Sequence, residues 1–336
     1  MNSIIVILPY FGKLPEMFPF WLESCKQNET INFLIVTDQQ ISSSAQNIKI
    51  LNSSLFAIKK KIETVLGMKV WLEKPYKLCD FRAIYNKIFY EHVDKYDFWG
   101  YCDCDLIFGD IRAFLTDELL NSYDYILGLG HFHIQRTKDE KYERVWKSAR
   151  GLWHNIQWRE VFASSQNEWF DELPYGVAGQ YYTLYPDKFW SGFSIHKRCY
   201  ESPITNIPTF IDGYNCYDSY IKDPAYQNHI DRLQFWKREK CSELKNIVYI
   251  KEGIKLYSVG INARGGIEKH QILYAHFYKR PLSAQTQSLT KYIIRPNAIV
   301  KYKKPNKILL WWYAHNPILR FSIFYHRIMK KLKFSK

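Results

Sequence analysis

Short apolar runs alternate with amphipathic segments at the start of the chain. The runs at residues 4–8, 32–38 and 48–52 are rich in Ile, Val, Leu and Phe, which is typical of β-strands. The segments at residues 18–26 and 55–71 have the spacing of helices. Strands that alternate with helices form a parallel sheet covered on both faces. The sequence therefore predicts an α/β fold with a mixed, mainly parallel sheet flanked by helices.

Polar or turn-forming residues follow several of the predicted strands. Pro9, Tyr10 and Phe11 follow the first run, and Asp38 ends the second. Open α/β sheets bind ligands at the carboxyl ends of their strands, where these residues are expected to meet.

An aspartate pair, Asp103 and Asp105, flanks Cys104 directly after the apolar and aromatic residues 96–101. Alternate side chains of a strand share a face, so both carboxylates are expected to point the same way and Cys104 the other. Two adjacent carboxylates repel each other and resist burial unless a hard divalent cation neutralises them. The pattern favours a metal and diphosphate site, although Asp-x-Asp also occurs in solvated turns.

The length of 336 residues allows one large domain or two modest ones. The seven cysteines contain no C-x-x-C pair, so neither a zinc site nor a disulfide framework is predicted. No export signal is visible, and no run reaches the roughly 18 apolar residues that span a bilayer. A cytoplasmic location in a reducing compartment is expected.

The net charge of +14 is concentrated near the end of the chain. No acidic residue follows Glu268, and 15 lysines and arginines lie in residues 269–336. Because the rest is nearly neutral, no nucleic-acid partner is expected. Residues 318–332 gather apolar side chains on one helical face with basic residues around it. We predict a basic amphipathic helical tail that binds an anionic membrane surface, at the inner face of the cell membrane.

Seven short motifs occur in order along residues 4–281. They are Pro9-Tyr10-Phe11-Gly12, Pro75-Tyr76-Lys77-Leu78-Cys79-Asp80-Phe81, Phe98-Trp99-Gly100-Tyr101, Asp103-Cys104-Asp105-Leu106-Ile107-Phe108-Gly109-Asp110, Gly130-His131-Phe132, Phe170-Asp171-Glu172 and His276-Phe277. This order resembles that of GT-A glycosyltransferases, and is most similar to a group of bacterial enzymes found with capsule, O-antigen and exopolysaccharide synthesis.

The resemblance implies a GT-A (Rossmann-like) fold and the transfer of a hexose from a nucleotide sugar, with UDP as the expected carrier. Mn²⁺ or Mg²⁺ is the implied cofactor, and a glycan, lipid-linked in related systems, is the implied acceptor. Residues 1–290 would form the catalytic domain and residues 291–336 the tail. The charged and aromatic residues 139–170 would be a helical insertion on the acceptor side.

The resemblance also implies a metal site and a base. Asp103, Asp105 and His276 would hold the metal. Asp171 or Glu172 would take the proton of the acceptor hydroxyl in an inverting enzyme. The segment around His276 is also similar to the metal-histidine segment of retaining enzymes, which need no such base, so the stereochemistry stays open.

Substrate contacts follow from the same resemblance. His131 and Trp190 would contact the donor or acceptor sugar. The nucleotide sugar would be bound by Pro9, Tyr10, Phe11, Asp38, Lys77, Asp80, Arg82, Asp103, Lys279 and Arg280.

Alternative interpretations stay open at this point. Asp80 suits a helix cap equally well, and Asp171 and Glu172 suit a solvated turn. A haloacid-dehalogenase-like phosphohydrolase also uses Asp-x-Asp after a strand, but after its first one. A nucleic-acid-binding module is the third alternative and depends on the charge and the aromatic residues.

Overall fold

The computed structural model describes residues 1–172, 175–190, 244–277, 282–295 and 298–315. Its largest sheet has seven strands in the order β3-β2-β1-β4-β7-β6-β8. Strands β3, β2, β1 and β4 are parallel, β7 is antiparallel to β4 and β6, and β8 is parallel to β6. These strands are β1 (Ile4–Tyr10), β2 (Ile31–Thr37), β3 (Ile48–Asn52), β4 (Phe98–Cys102), β6 (Tyr125–Leu129), β7 (Phe132–Arg136) and β8 (Phe189–Trp190).

Helices cover both faces of this sheet. Helix α1 buries Phe18, Trp21 and Cys25 against one face, and most of the other helices lie on the opposite face. The helices are α1 (Phe18–Lys26), α2 (Leu55–Leu66), α3 (Tyr85–Ile88), α4 (Tyr90–Val93), α5 (Asp117–Ser122), α6 (Tyr142–Ser148), α7 (Trp158–Ala163), α8 (Val177–Leu184) and α9 (Lys307–His315), with 3₁₀ helices at Pro75–Ile84 and Pro186–Lys188. The predicted mixed, mainly parallel α/β sheet flanked by helices is confirmed.

A second sheet follows in the chain, with six strands in the order β11-β10-β9-β14-β15-β13. One of its faces packs on α1, and α9 covers the other. Its strands are β9 (Lys245–Glu252), β10 (Lys255–Ile261), β11 (Ile267–Gln271), β13 (Ser283–Gln285), β14 (Lys291–Arg295) and β15 (Ala298–Lys301). The boundary predicted at residue 290 is corrected, because β14 and β15 pair with strands on the other side of it.

Residues 139–170 also differ from the predicted insertion. They form α6 and α7, whose Val145, Trp146, Val161 and Phe162 are buried in the core beneath the large sheet. This segment is therefore part of the helical layer itself.

Two hairpins belong to these sheets. Strands β6 and β7 form one, whose turn contains Gly130 and His131, and β9 and β10 form the other. The helix that follows β5 (Leu106–Phe108) begins at Asp117. Among the described residues, no helix has the length and apolar character to cross a bilayer. The predicted amphipathic face at residues 318–332 lies outside the described residues.

Candidate metal centre and active site

Asp103 and Asp105 lie in the turn between β4 and a three-residue strand, β5 (Leu106–Phe108). The Asp103 amide donates to the His131 carbonyl at 2.9 Å, and the Phe277 amide donates to the Asp105 carbonyl at 2.9 Å. The two carboxylates are thus brought together by a turn held at both ends, and not by the strand alternation that the sequence suggested. Cys104 is buried in the core, as expected.

His276 joins the pair through strand pairing. It ends β12 (Tyr274–His276), which runs antiparallel to β5 and places His276 opposite Leu106. One ligand atom from each of His276, Asp103 and Asp105 lies within 4.8 Å of the others. The predicted metal ligands therefore converge although they are far apart in sequence.

The three side chains fit a divalent cation. Asp105 Oδ1 is buried and accepts no hydrogen bond from the part of the chain that the structure describes, while His276 Nε2 lies 3.5 Å from it. Two carboxylates and one imidazole match the ligand preference of Mg²⁺ or Mn²⁺. The carboxylates of Asp103 and Asp105 are 35% and 30% exposed, so a ligand can reach them.

Arg82 connects this centre to the predicted base. Its guanidinium is buried over the Tyr101 ring, and it forms ion pairs with Asp103 and with Asp171, the latter at 3.1 Å. Arg82 comes from the 3₁₀ helix that faces the carboxyl end of β4. A fixed positive charge therefore lies between two carboxylates that would otherwise repel each other.

The two carboxyls of the candidate metal centre have opposite pKa shifts. Burial raises the pKa of Asp103 to about 6, with the nearby Asp105 charge adding to the rise and Arg82 opposing it. Burial acts on Asp105 in the same direction, but the adjacent His276 outweighs it and the pKa of Asp105 is lowered. Asp105 is the carboxylate that remains charged over the wider pH range.

The acidic pair Asp171 and Glu172 lies beside this centre. Asp171 is buried, and its Oδ1 accepts no hydrogen bond from the described residues. Glu172 is partly exposed, and a Cβ placed on Gly130 would lie 2.4 Å from Glu172 Oε1 and 3.2 Å from Arg82 Nη1. With the Glu172 carboxylate in this position, only glycine fits at position 130.

His131 has a different position from the one predicted. Its ring stacks on His276 with centroids 4.2 Å apart and an angle of 12°, and its Nε2 is 2.8 Å from the Tyr274 hydroxyl. His131 is buried, so it supports a metal ligand instead of facing a sugar. Tyr274, which was not predicted, shares a strand face with His276 because it is two residues away.

Lys77 and Asp80 do not line a nucleotide pocket. Both are buried and pair at 2.8 Å. Lys77 also donates to the carbonyls of Val161 and Gln166. Asp80 accepts from backbone amides of the segment that leads to Asp171, so it does not cap its own helix. The charged groups of Lys77 and Asp80 thus bind other parts of the protein. Of the three residues predicted from this 3₁₀ helix, only Arg82 reaches the site.

Four further residues predicted to bind the nucleotide lie at or just after the ends of β1 and β2. Pro9 pairs with Val36 within the sheet, and the exposed Asp38 accepts the Gly12 amide at 2.9 Å. The Tyr10 hydroxyl donates to the Lys13 carbonyl at 3.1 Å, and the pKa of Tyr10 is raised by burial and then by Cys104 and Asp105. Phe11 is buried in the core, so its ring does not present a free face.

Trp190 is not brought to the candidate metal centre. It ends β8 beside Ile126 and packs partly against the core. Lys279 and Arg280 lie outside the described residues.

A profile described as "Family of unknown function (DUF6625)" matches residues 6–303. No curated protein sequence matches the chain.

Two solved structures resemble it weakly. The glycosyltransferase GlyE of Streptococcus pneumoniae TIGR4 has a TM-score of 0.32 and 11% identity over 66% of this chain, which spans about half (51%) of the GlyE chain. Mouse xyloside xylosyltransferase 1, in its apo form, has a TM-score of 0.31 and 8% identity over 56% of this chain and 83% of its own. Likeness at this level transfers neither activity nor substrate. The family match extends over most of the residues, so the chain belongs to the family of unknown function DUF6625.

Proposed function

We propose that this protein is a metal-dependent glycosyltransferase that moves a hexose from a nucleotide sugar, with UDP as the carrier, to a glycan acceptor. The observation that carries the proposal is the convergence of Asp103, Asp105 and His276 within 4.8 Å at the carboxyl end of a central parallel strand. Donor atoms of this kind at this edge of an α/β sheet suit a cation bound to a diphosphate.

Asp103, Asp105 and His276 would hold the cation. A bound Mn²⁺ or Mg²⁺ supplies positive charge that stabilises the diphosphate as it leaves the sugar. Arg82 orients Asp103 and Asp171 through its two ion pairs. Tyr10 and Asp38, at the ends of neighbouring parallel strands, border the same edge and would contact the nucleotide, together with Lys279 and Arg280 at the diphosphate.

Transfer forms a bond between an acceptor oxygen and the anomeric carbon, and breaks the bond from that carbon to the diphosphate. In an inverting transfer the acceptor proton passes to a carboxylate. Glu172 suits this role better than Asp171, because Asp171 is buried and paired with Arg82 whereas Glu172 is partly exposed.

The acceptor that we propose is a lipid-linked glycan in bacterial surface polysaccharide synthesis, reached from the inner face of the cell membrane. The basic end of the chain supports this part, because several lysines and arginines near an anionic leaflet attract a protein to it.

A panel of sugar nucleotides with Mn²⁺ or Mg²⁺ tests the activity. We expect the wild-type protein to release free nucleotide from at least one donor, and EDTA to stop the release. Asp105→Asn keeps the shape of the side chain but removes its charge, so it should fold and lose nearly all release. Asp187→Asn, at an exposed position, is the matched control.

Two outcomes would contradict the proposal. Full activity of Asp105→Asn in chelator-treated buffer would exclude the metal centre. Release of inorganic phosphate from simple phosphoesters, with no nucleotide released from any donor, would favour the haloacid-dehalogenase-like alternative.

A further inference from the structure

Trp169 has a left-handed backbone conformation, with φ of 50°. This region is unfavourable for residues other than glycine and persists only where the surroundings impose it. Such strained residues concentrate at functional sites. The residues that impose this conformation, and those that surround Trp169, therefore indicate the function of the segment.

A buried ionic network imposes the conformation. The Asp80 carboxylate accepts the amides on both sides of Trp169, those of Glu168 at 3.0 Å and Phe170 at 3.2 Å. Lys77 pairs with Asp80, and neither side chain is exposed. Burying two charges has a large desolvation free energy. A single turn of backbone is thus fixed by an energetically unfavourable burial of charge.

The same segment fixes a second tryptophan. Glu168 is buried, and its carboxylate accepts from His154 Nδ1 at 2.6 Å and from the His154 amide at 3.1 Å. The Leu152 amide donates to the Glu168 carbonyl at 2.6 Å. Trp153 lies between these two contacts. Its ring is 38% exposed and meets the Trp169 ring edge to face, with centroids 5.1 Å apart.

The tryptophan pair belongs to the same turn as the acidic pair. The Glu172 amide donates to the Trp169 carbonyl at 3.2 Å, and Asp171 is two residues from Trp169. Two trans peptides span at most about 7–8 Å between Cα atoms, and Arg82 joins Asp171 to Asp103. The indoles are therefore rigidly linked to the metal centre through one short turn.

We propose that Trp153 and Trp169 form a binding subsite for a pyranose ring of the acceptor glycan. The negative face of an indole attracts the C–H groups on the apolar face of a sugar, and the neighbouring Glu172 can accept from its hydroxyls. The subsite deepens the proposed function and depends on it. It gives Lys77, Asp80 and Glu168 a common role, which is to hold the two rings in place.

Saturation-transfer difference NMR with the full chain and a panel of methyl pyranosides tests the subsite without any donor. We expect ring C–H signals of at least one glycoside to receive saturation, and Trp153→Ala to weaken its binding about three- to tenfold. Trp169→Gly removes the ring but suits the left-handed backbone, so it should weaken binding while the turn keeps its conformation. Phe56→Ala, at an exposed aromatic on α2, is the matched control.

The two proposals fail in different ways. Absence of nucleotide release from every sugar nucleotide would overturn the proposed function. If nucleotide is released but no glycoside in the panel receives saturation, the subsite is overturned. Equal glycoside affinity in the wild-type protein, Trp153→Ala and Trp169→Gly would overturn it as well.

Discussion

His131 contacts two of the three candidate metal ligands. Its carbonyl holds the Asp103 amide and its ring stacks on His276. Groups behind a metal ligand orient it and raise affinity for the metal. This residue therefore acts on the metal centre although none of its own atoms is needed as a ligand.

We predict that His131→Ala lowers Mn²⁺ affinity about 10- to 100-fold. The variant removes the ring that stacks on His276 and the contact with the Tyr274 hydroxyl. Electron paramagnetic resonance of free Mn²⁺ measures the affinity independently of turnover. His270→Ala, at an exposed histidine of the second sheet, serves as the control. Unchanged Mn²⁺ affinity in His131→Ala would remove this role.

Gly130 provides a second prediction at this scale. A methyl group there would meet Glu172 Oε1 at 2.4 Å, and the end of a flexible side chain can move away. Gly130→Ala should therefore fold normally but lose at least about tenfold in transfer rate, because it displaces the proposed base. Gly176→Ala is the contrasting variant, since its methyl would meet backbone carbonyls at 2.3 and 2.5 Å. A normal transfer rate together with a lowered melting temperature in Gly130→Ala would contradict the explanation.

The sequence predicted some site residues and misassigned others for a physical reason. The carboxylates of Asp103 and Asp105 are close in sequence and repel each other in any fold. The pair alone therefore indicates a bound cation. Lys77 has no such local signal, because its backbone partners lie more than eighty residues away. Tyr274 was detectable, since it shares a strand face with His276.

At the scale of elements, hydrophobic periodicity predicted the bounds of helices and strands best where one uninterrupted pattern covers the whole element. Helix α1 and strand β3 have the predicted bounds. The β6 and β7 hairpin is hard to predict from the sequence, because apolar residues continue up to and beyond its turn. The second sheet was missed because its strands lie among charged residues, and tertiary packing of their alternate side chains decides their structure.

Lys251 joins the second sheet to β5. It is buried on β9 and donates from Nζ to the Phe108 carbonyl at 2.5 Å and the Ile254 carbonyl at 3.1 Å. Burial lowers its pKa to about 7, opposed by the more distant Cys25 and Glu23. At pH values above this, the folded chain carries a neutral amine that the unfolded chain would protonate.

A pH-dependent stability difference follows. Between about pH 7 and 10.5 the unfolded state binds one more proton at Lys251, so this group makes the free energy of unfolding rise with pH. We expect the free energy of unfolding of the wild-type protein to exceed that of Lys251→Met by a margin that grows with pH. The margin should increase by up to about 2 kcal/mol from about pH 7.5 to 9. Urea denaturation of both proteins measures it. A constant or falling difference would mean that Lys251 is charged in the folded protein.

At the scale of the whole molecule, α9 has two different faces. Leu310 and Tyr313 are buried against the second sheet. Ile308, Trp311 and Trp312 are 81%, 49% and 44% exposed, and the exposed Lys303, Lys304 and Lys307 precede or flank them. An apolar, tryptophan-rich face beside basic residues suits the interfacial zone of an anionic membrane. We propose that this face contributes to the predicted membrane association.

The combined variant Ile308→Ser, Trp311→Ser and Trp312→Ser should reduce co-sedimentation with phosphatidylglycerol vesicles at low salt and leave the melting temperature nearly unchanged. Leu310→Ser should instead lower the melting temperature, because Leu310 is buried. Truncation after Pro305 would uncover the second sheet and is a poorer test. Equal co-sedimentation of the wild-type protein and the combined variant would exclude this face.

The metal centre also has a consequence for synthesis of the chain on the ribosome. Asp103 and Asp105 emerge long before His276, and β5 has no β12 to pair with until residue 276 has been made. A nascent or prematurely terminated polypeptide that ends between these positions lacks both the third ligand and the strand that carries it. Under the proposed function, transfer therefore waits until translation has passed His276, and incomplete products would not consume sugar nucleotide.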